Sequence, residues 1–445
     1  MQKERKALFI VSSTAQILMF KPIIVELNWN SLVINIELGK RKSEIEKILV
    51  EQNLPYISVP RKTLFHVRQI INQELPDILV VGHDQTYMDE AFISVCNSIN
   101  IPTLLVQDGI LVADRSNAQR VENYKDRLLE AIKFPIRLPF RLLKYITNEN
   151  DSMSNKIFEG ILALRYNPLG RGVVYGHGSC SKMAVFGCAV KEMLISEGVD
   201  PERIVITGNP KFDVIYGCKN TEYKQHVYDR WGIPPEREII LLITQYFVEA
   251  RIWSTEQRAA FVLAVNDAIS TLPNTQLIIK LHPPIENIKD YEDLTKDYPS
   301  QPVICKYTPL QELISISNLI ITVSSTAALE AMAMGKCVII VDLFNNSETS
   351  FFKDSGALYV SHKDDIRPAI ANILSNPQAK NYMMPLGPQA YRMKRSGAIF
   401  IRKEMCQLME KFVLQQAHIQ DGKSKTRIAN LIKEMVSDSQ SPNAC

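Results

Sequence analysis

Short apolar runs rich in β-branched residues recur along the chain, each followed by a longer stretch with helical periodicity. This alternation constrains the fold more than any other feature. The runs fall at 7–11, 31–36, 78–81, 103–106, 173–175, 204–207, 239–244, 276–281, 303–305, 319–323, 338–341 and 358–360. They are continuously apolar, so both faces of each strand need cover. Helical patterns at 23–28, 42–52, 88–97, 184–197, 256–271, 309–316, 327–334 and 366–374 supply it. Strands that alternate with helices predict an α/β chain built on parallel sheets. The rhythm breaks once, in the polar stretch 217–234 that runs up to Pro234-Pro235, and a fresh strand follows. That break predicts a linker between two doubly wound halves, 1–216 and 235–385, facing a central cleft. A last helix within 386–417 is expected to cross back onto the first half, and the polar tail 418–445 to fray.

Composition excludes several classes. With 445 residues, 46% of them hydrophobic, the chain can bury a sizeable core without staples. A net charge of +3 is too small to mark nucleic acid as the main partner. The eight cysteines form no CxxC pair and no Cys/His cluster with zinc spacing, which predicts reduced thiols, no metal and no cofactor. The apolar start 7–11 is too short for a signal peptide, and no run reaches the roughly 18–20 residues that span a bilayer. A cytoplasmic protein is expected.

In an open parallel sheet, ligands bind beyond the carboxyl ends of the strands, so the loops at those ends carry the functional reading. After 7–11 comes Ser12-Ser13-Thr14, either a phosphate-facing turn or a plain serine cap, with Ser13 placed on the acceptor side. After 78–81 come His83 and Asp84, and after 103–106 come Gln107, Asp108 and Gly109. A carboxylate at such a place can take a proton from a hydroxyl, so Asp108, then Asp84, are candidate bases, with His83 beside them. The alternative is that both acids cap turns. His177, between Gly176 and Gly178, either faces an acceptor or sits in a plain flexible loop.

The second half carries the stronger signals. Strand 239–244 runs into Thr244 and Gln245, and strand 276–281 into His282 and Pro283. A histidine at a strand end can donate to a phosphate or sugar oxygen. Lys280 shares its sheet face and is either solvated or neutralises phosphate. Ser324, Ser325 and Thr326 then link strand 319–323 to an Ala-rich helix that ends at Gly335. Hydroxyls and N–H groups at a helix start attract a pyrophosphate. Glu330, one turn in, can reach a ribose or sugar hydroxyl.

These residues carry a resemblance. The second half resembles the donor-binding domain of GT-B glycosyltransferases and their relative, UDP-N-acetylglucosamine 2-epimerase, which implies two Rossmann-like domains. Ser12-Ser13-Thr14, the turn Thr207-Gly208-Asn209 and the stretch Ser324 to Gly335 are similar to pieces of the epimerase. Its phosphate-loop glycines, its paired acids and its His-Arg loop are not matched; the last reads Thr244-Gln245-Tyr246 here. His282-Pro283 with Ser324-Ser325 instead resembles capsule polysaccharide transferases, among them polysialyltransferases, Kdo transferases and CDP-glycerol glycerophosphotransferases. That branch implies a CMP- or CDP-linked donor, a glycan or lipid-linked acceptor and Asp108 as the base. The resemblance also implies that Tyr307, Gly208 and Asn209 serve the donor.

The insertion 115–172 is net +5, and its centre 132–146 repeats Lys133, Arg137, Arg141 and Lys144 among apolar residues with no acid. It reads as a basic amphipathic face for an anionic membrane, or as a hairpin or subunit contact. The leading expectation is an inverting, metal-independent transferase of a cell-surface glycan pathway. The rivals are a UDP-sugar epimerase or hydrolase, and a non-catalytic sugar-nucleotide-binding protein.

Overall fold

A computed structural model of the chain describes residues 4–37, 42–60, 67–109, 175–217, 221–234, 236–283, 285–298, 301–375 and 403–439. The basic insertion 115–172 lies outside the described residues, as does 386–402. The chain divides into two compact units, one of Met1–Lys211 with Lys423–Cys445 and one of Phe212–Gly422.

The first unit is built on a seven-stranded sheet. Its strands are β1 (Lys6–Val11), β2 (Asn30–Glu37), β3 (Tyr56–Pro60), β4 (Ile78–Val81), β5 (Thr103–Val106), β6 (Lys182–Val185) and β7 (Ile204–Ile206). They lie in the order β3-β2-β1-β4-β5-β6-β7 and every pair is parallel. Strand β1 shows why the apolar runs are continuous. Leu8 and Ile10 enter a core with α3 (Val67–Glu74) and α4 (Tyr87–Ser98). Ala7, Phe9 and Val11 enter the opposite core with α1 (Thr14–Leu27) and α2 (Lys42–Glu51). Successive side chains leave a strand on opposite faces, so a strand covered on both must be apolar throughout.

The second unit repeats the plan with six parallel strands, β8 (Glu238–Ile243), β9 (Thr275–Lys280), β10 (Val303–Cys305), β11 (Leu319–Thr322), β12 (Cys337–Val341) and β13 (Leu358–Val360). Their order is β10-β9-β8-β11-β12-β13. Its helices include α8 (Thr255–Ser270), started by a capping box in which Ser254 and Gln257 bond each other's backbone. In both sheets the connections reverse direction beside the first strand, between β1 and β4 and between β8 and β11. Two parallel-sheet α/β units of this topology are the predicted fold class.

Several sequence expectations needed correction. The stretch 182–185, expected to open a helix over 184–197, is strand β6; its four residues carry one β-branched side chain, too little to mark it. The expected linker 217–234 contains helix α7 (Thr221–Trp231), which packs on α10 (Leu310–Ile316) in the second unit, where the Tyr228 hydroxyl donates to the Ile316 carbonyl at 3.1 Å. Helix α13 (Lys403–Ala417), within the segment expected to cross back, packs instead on α11 (Ala327–Ala333) of the second unit. The return to the first unit is made by α14 (Ser424–Asp438), in the tail expected to fray. Its Ile428, Ile432 and Val436 recur at helical spacing, and they are buried in the core shared with α1. The pattern was masked by the many polar residues on its other face. Arg427 fastens its start, donating through Nε to the Thr207 carbonyl at 2.7 Å.

Ile432 is fully buried. Ile432→Ala should destabilise the first unit by about 2–5 kcal/mol in equilibrium denaturation. A loss within about 0.5 kcal/mol, the range of a surface change, would show that this helix is not part of the core.

Candidate functional site

Strand-order reversal places the candidate residues. Where neighbouring connections run to opposite sides of a sheet, a crevice opens at the carboxyl ends of the two strands. In the second unit this happens between β8 and β11, whose register pairs Leu242 with Ile321. Two residues past the strand ends, Gln245 and Ser324 therefore face each other. The Gln245 carboxamide accepts from the Ser324 N–H at 2.8 Å and donates to its hydroxyl at 3.0 Å. This two-way clamp fixes the turn before α11. Ser325 caps that turn, its hydroxyl accepting from the Ala327 N–H at 3.2 Å. Among the described residues, the N–H groups of Ser325 and Thr326 have no protein partner, and Thr326 is exposed. Helix α11 is only seven residues long. Its contribution to anion binding is therefore these local donors rather than a long macrodipole. Glu330 is nearly buried on its first turn, and Gln311 donates to its carboxylate at 2.8 Å.

A second structure shapes the His282-Pro283 turn. Glu286 is fully buried and accepts from the His282 N–H at 2.6 Å, from the Thr244 hydroxyl and from the Tyr291 hydroxyl. Burial pushes its carboxyl pKa up, and these three donors pull it back. The His282 ring packs edge-on against Tyr246, with centroids 4.8 Å apart. Pro283 is exposed beside it. Glu286 was missed at the sequence level, though an acid four residues after His282 is a signal for such a closed turn.

Other expectations for this unit were overturned. Lys280 does not face phosphate: it is buried and donates to the carbonyls of Leu281, at 3.1 Å, and Lys306. Burial lowers its pKa. Thr244 is likewise turned inward onto Glu286 and the Lys280 carbonyl. Tyr307 is exposed under the Lys306 ammonium.

In the first unit the reversal falls between β1 and β4, whose register pairs Ile10 with Val81. It brings Ser12 against His83, with Oγ and Nε2 3.0 Å apart. The other ring nitrogen, Nδ1, pairs with the Asp89 carboxylate at 2.8 Å. Gln16 lies one helical turn beyond Ser12 and accepts from its N–H at 2.7 Å. The same carboxamide donates to Asp108 at 2.9 Å. Burial favours a neutral imidazole, but Asp89, with Asp108 behind it, outweighs burial and raises the His83 pKa to about 9. Burial pushes the Asp108 pKa up, while the charge of His83, the Gln16 amide and the charge of Lys211 oppose it. The buried Tyr175 hydroxyl stands by Asp108 and Asp84 and, among the described residues, has no hydrogen-bond partner. Ser12 was recognised from sequence as part of its loop. Gln16, Asp89 and Tyr175 were not, because nothing local marks a glutamine or an aspartate inside a helix.

Asp84 is not available as a base. It is fully buried and accepts from the N–H groups of Gly176, at 3.1 Å, and Gly178, at 2.8 Å. A Cβ at Gly178 would come within 2.6 Å of that carboxylate, so glycine is required for the approach. Ser13 is the N-cap of α1, accepting from the Gln16 N–H at 3.3 Å. Gly109 accepts at its carbonyl from Gln107 at 2.7 Å, and His177 is exposed near Glu197, at 3.5 Å. Gly208 and Asn209 are both buried among protein partners. Gly208 sits at φ 73° against Ser424, and the buried Asn209 amide donates to the Gln107 carbonyl at 2.8 Å. Among the described residues no three metal-ligating side chains gather, and no helix is long and apolar enough to cross a membrane.

A family model described as UDP-N-acetylglucosamine 2-epimerase matches residues 180–402, half of the chain. No curated protein matches it. Among solved structures, the Neisseria meningitidis UDP-GlcNAc 2-epimerase bound to UDP-GlcNAc superposes with a TM-score of 0.58 at 14% identity, covering 96% of this chain and 100% of that one. The S. aureus MnaA complex with UDP gives 0.58 at 14%, covering 97% of each chain. The Methanocaldococcus jannaschii UDP-GlcNAc 2-epimerase with UDP-GlcNAc and UDP gives 0.54 at 17%, covering 96% and 99%. At such identities the likeness shows a shared two-unit fold.

The His83 pKa, raised from 6.5 to about 9, has a consequence for stability. A raised histidine stabilises fully below its unfolded pKa, and that contribution is lost as pH rises through the folded value. Wild-type stability should therefore decline between pH 6.5 and about 9. His83→Gln should flatten that decline in denaturant titrations, and a parallel decline in both proteins would refute the assignment.

Proposed function

The chain belongs to the UDP-N-acetylglucosamine 2-epimerase family, and from that premise we propose that it binds a UDP-linked N-acetylhexosamine and inverts the sugar at C-2. The expected CMP- or CDP-dependent transfer to a glycan acceptor is overturned by the family match over residues 180–402. The solved neighbours with UDP-linked ligands point the same way. The His-Pro and Ser-Ser motifs that suggested transfer are too short to outweigh a match across half the chain.

The observation that carries the reading is the turn at Ser324, within the family match, where the Gln245 clamp leaves two N–H donors and an exposed hydroxyl together. Backbone donors in a fixed turn suit a diphosphate. Glu330, steadied by Gln311, is assigned a ribose hydroxyl. His282, held at its backbone by Glu286, is assigned a phosphate or sugar oxygen.

The chemistry defines what else is needed. The C-2 hydrogen of a ring N-acetylhexosamine is not beside a carbonyl, so its removal alone leaves an unstabilised anion. If UDP leaves C-1 as the proton leaves C-2, a neutral C-1–C-2 double bond forms. Return of a proton on the other face, with UDP returning to C-1, gives the epimer, and protons and electrons balance. The reaction therefore needs a base, an acid and a grip on the diphosphate. Asp108 is assigned the base and His83 the acid, each at the carboxyl end of a strand of the first unit.

Incubation with UDP-N-acetylglucosamine in deuterated water should give the 2-epimer carrying deuterium at C-2. Asp108→Asn should slow this by roughly 10²-fold or more. Recovery of unlabelled substrate alone, or labelling only when an acceptor is added, would reject the reading. Glu330→Gln should weaken UDP binding roughly tenfold, about 1.4 kcal/mol, in calorimetry. Stabilisation of the protein by CMP or CDP but not by UDP would also count against it.

A further inference from the structure

Resting on that reading, we propose that Asp89, Ser12 and Gln16 are positioning residues that couple His83 and Asp108 into one acid–base unit. In it, Asp89 holds His83 as the proton donor and the Ser12–Gln16 bridge holds Asp108 as the proton acceptor. The contacts form one continuous chain. Asp89 meets His83 Nδ1 at 2.8 Å, His83 Nε2 meets Ser12 Oγ at 3.0 Å, and Gln16 joins Ser12 to Asp108. Three strand ends and two helices contribute to it. Ser12 follows β1, His83 follows β4, Asp108 follows β5, Gln16 lies on α1 and Asp89 on α4.

The carboxamide sets the direction of this chain. Gln16 Nε2 donates to Asp108, so Oε1 must face Ser12. There it accepts from the Ser12 N–H at 2.7 Å and from the Ser12 hydroxyl at 3.3 Å. With its hydrogen turned to Gln16, the Ser12 hydroxyl offers a lone pair to His83 Nε2. The Asp89 carboxylate lies 2.8 Å from Nδ1, where its charge favours a second ring proton. Both ring nitrogens then carry hydrogens, which is the imidazolium. The alternative, a serine activated as nucleophile by a neutral imidazole, would need the hydroxyl hydrogen turned the other way. Ser12 is also nearly buried.

The two ends depend on each other. The charge of His83 lowers the Asp108 pKa against burial, and the charge of Asp108 raises that of His83. The charged or titratable neighbours are Asp89 on α4, Asp108 after β5, Lys211 beside Asp108 and the phenol of Tyr175. In each turnover one proton passes to the Asp108 carboxylate and one leaves the His83 imidazolium, and exchange with solvent resets both. An ionised carboxylate and a charged imidazole must coexist before each turnover, so removing the charge of Asp89 should harm both.

The test is a ¹⁵N-imidazole titration of the full chain, with the His83 signal assigned by its loss in His83→Gln. Wild-type His83 should titrate at about 9, and in Asp89→Asn it should fall toward 6.5. Gln16→Leu, which removes the amide donated to Asp108, should raise the Asp108 midpoint in ¹³C-carboxyl spectra. In a turnover profile Asp89→Asn should narrow the active pH range from both sides, which a merely structural residue would not do. A wild-type His83 midpoint near 6.5, or an Asp89→Asn midpoint unchanged from wild type, overturns the proposal. If UDP-N-acetylglucosamine is not turned over at all, the epimerase reading fails while the two spectroscopic midpoints still decide the coupling.

Discussion

The reversal of strand order beside the first strand of each all-parallel sheet is the constraint on which the rest depends. Connections that wind one way on one side and the other way on the other leave a gap at two adjacent carboxyl ends. In the first unit those ends belong to β1 and β4, and in the second to β8 and β11. Helices cannot fill the gap, because each has been carried away to its own face. Short polar turns line it instead. Ser12 meets His83 in one unit and Gln245 meets Ser324 in the other.

A carboxamide does the bridging in both units. Gln16 and Gln245 each accept at the oxygen and donate at the nitrogen, so each fixes two neighbours without adding charge. The charged groups are then handled differently. In the first unit His83 is flanked by two carboxylates and gains a proton. In the second, Glu286 takes three donors and closes a turn, and Lys280 is satisfied by two carbonyls. A buried carboxylate with that many donors is a structural anchor, whereas one sharing a half-open site with a cation is suited to proton transfer. That contrast separates Asp84, tied to Gly176 and Gly178, from Asp108.

Family membership changes how the same loops are understood. His282-Pro283 and Ser324-Ser325 fit several nucleotide-sugar chemistries, since each needs only donors for a phosphate. The proposal of a UDP-linked sugar over a CMP- or CDP-linked one rests on the match over residues 180–402.

From sequence alone came the continuous apolar strands, the parallel α/β class, the loops at strand ends and the candidacy of His83, Asp108, His282 and the Ser324 turn. These follow from periodicity and from the rule that open sheets bind at their carboxyl ends, both of which are local along the chain. Strand β6, hidden in four residues with one β-branched side chain, and α14, hidden in a polar tail, were not legible because tertiary cover made them. Which polar residue stays at the crevice and which turns into the protein was decided only by the tertiary structure. Asp84, Lys280, Thr244 and Asn209 sit at the right strand ends yet turn inward, while Gln16 and Asp89 reach the site from within helices. A side chain's direction depends on the partners that burial leaves it, and those partners can lie a hundred residues away or more, as Gln107 is from Asn209.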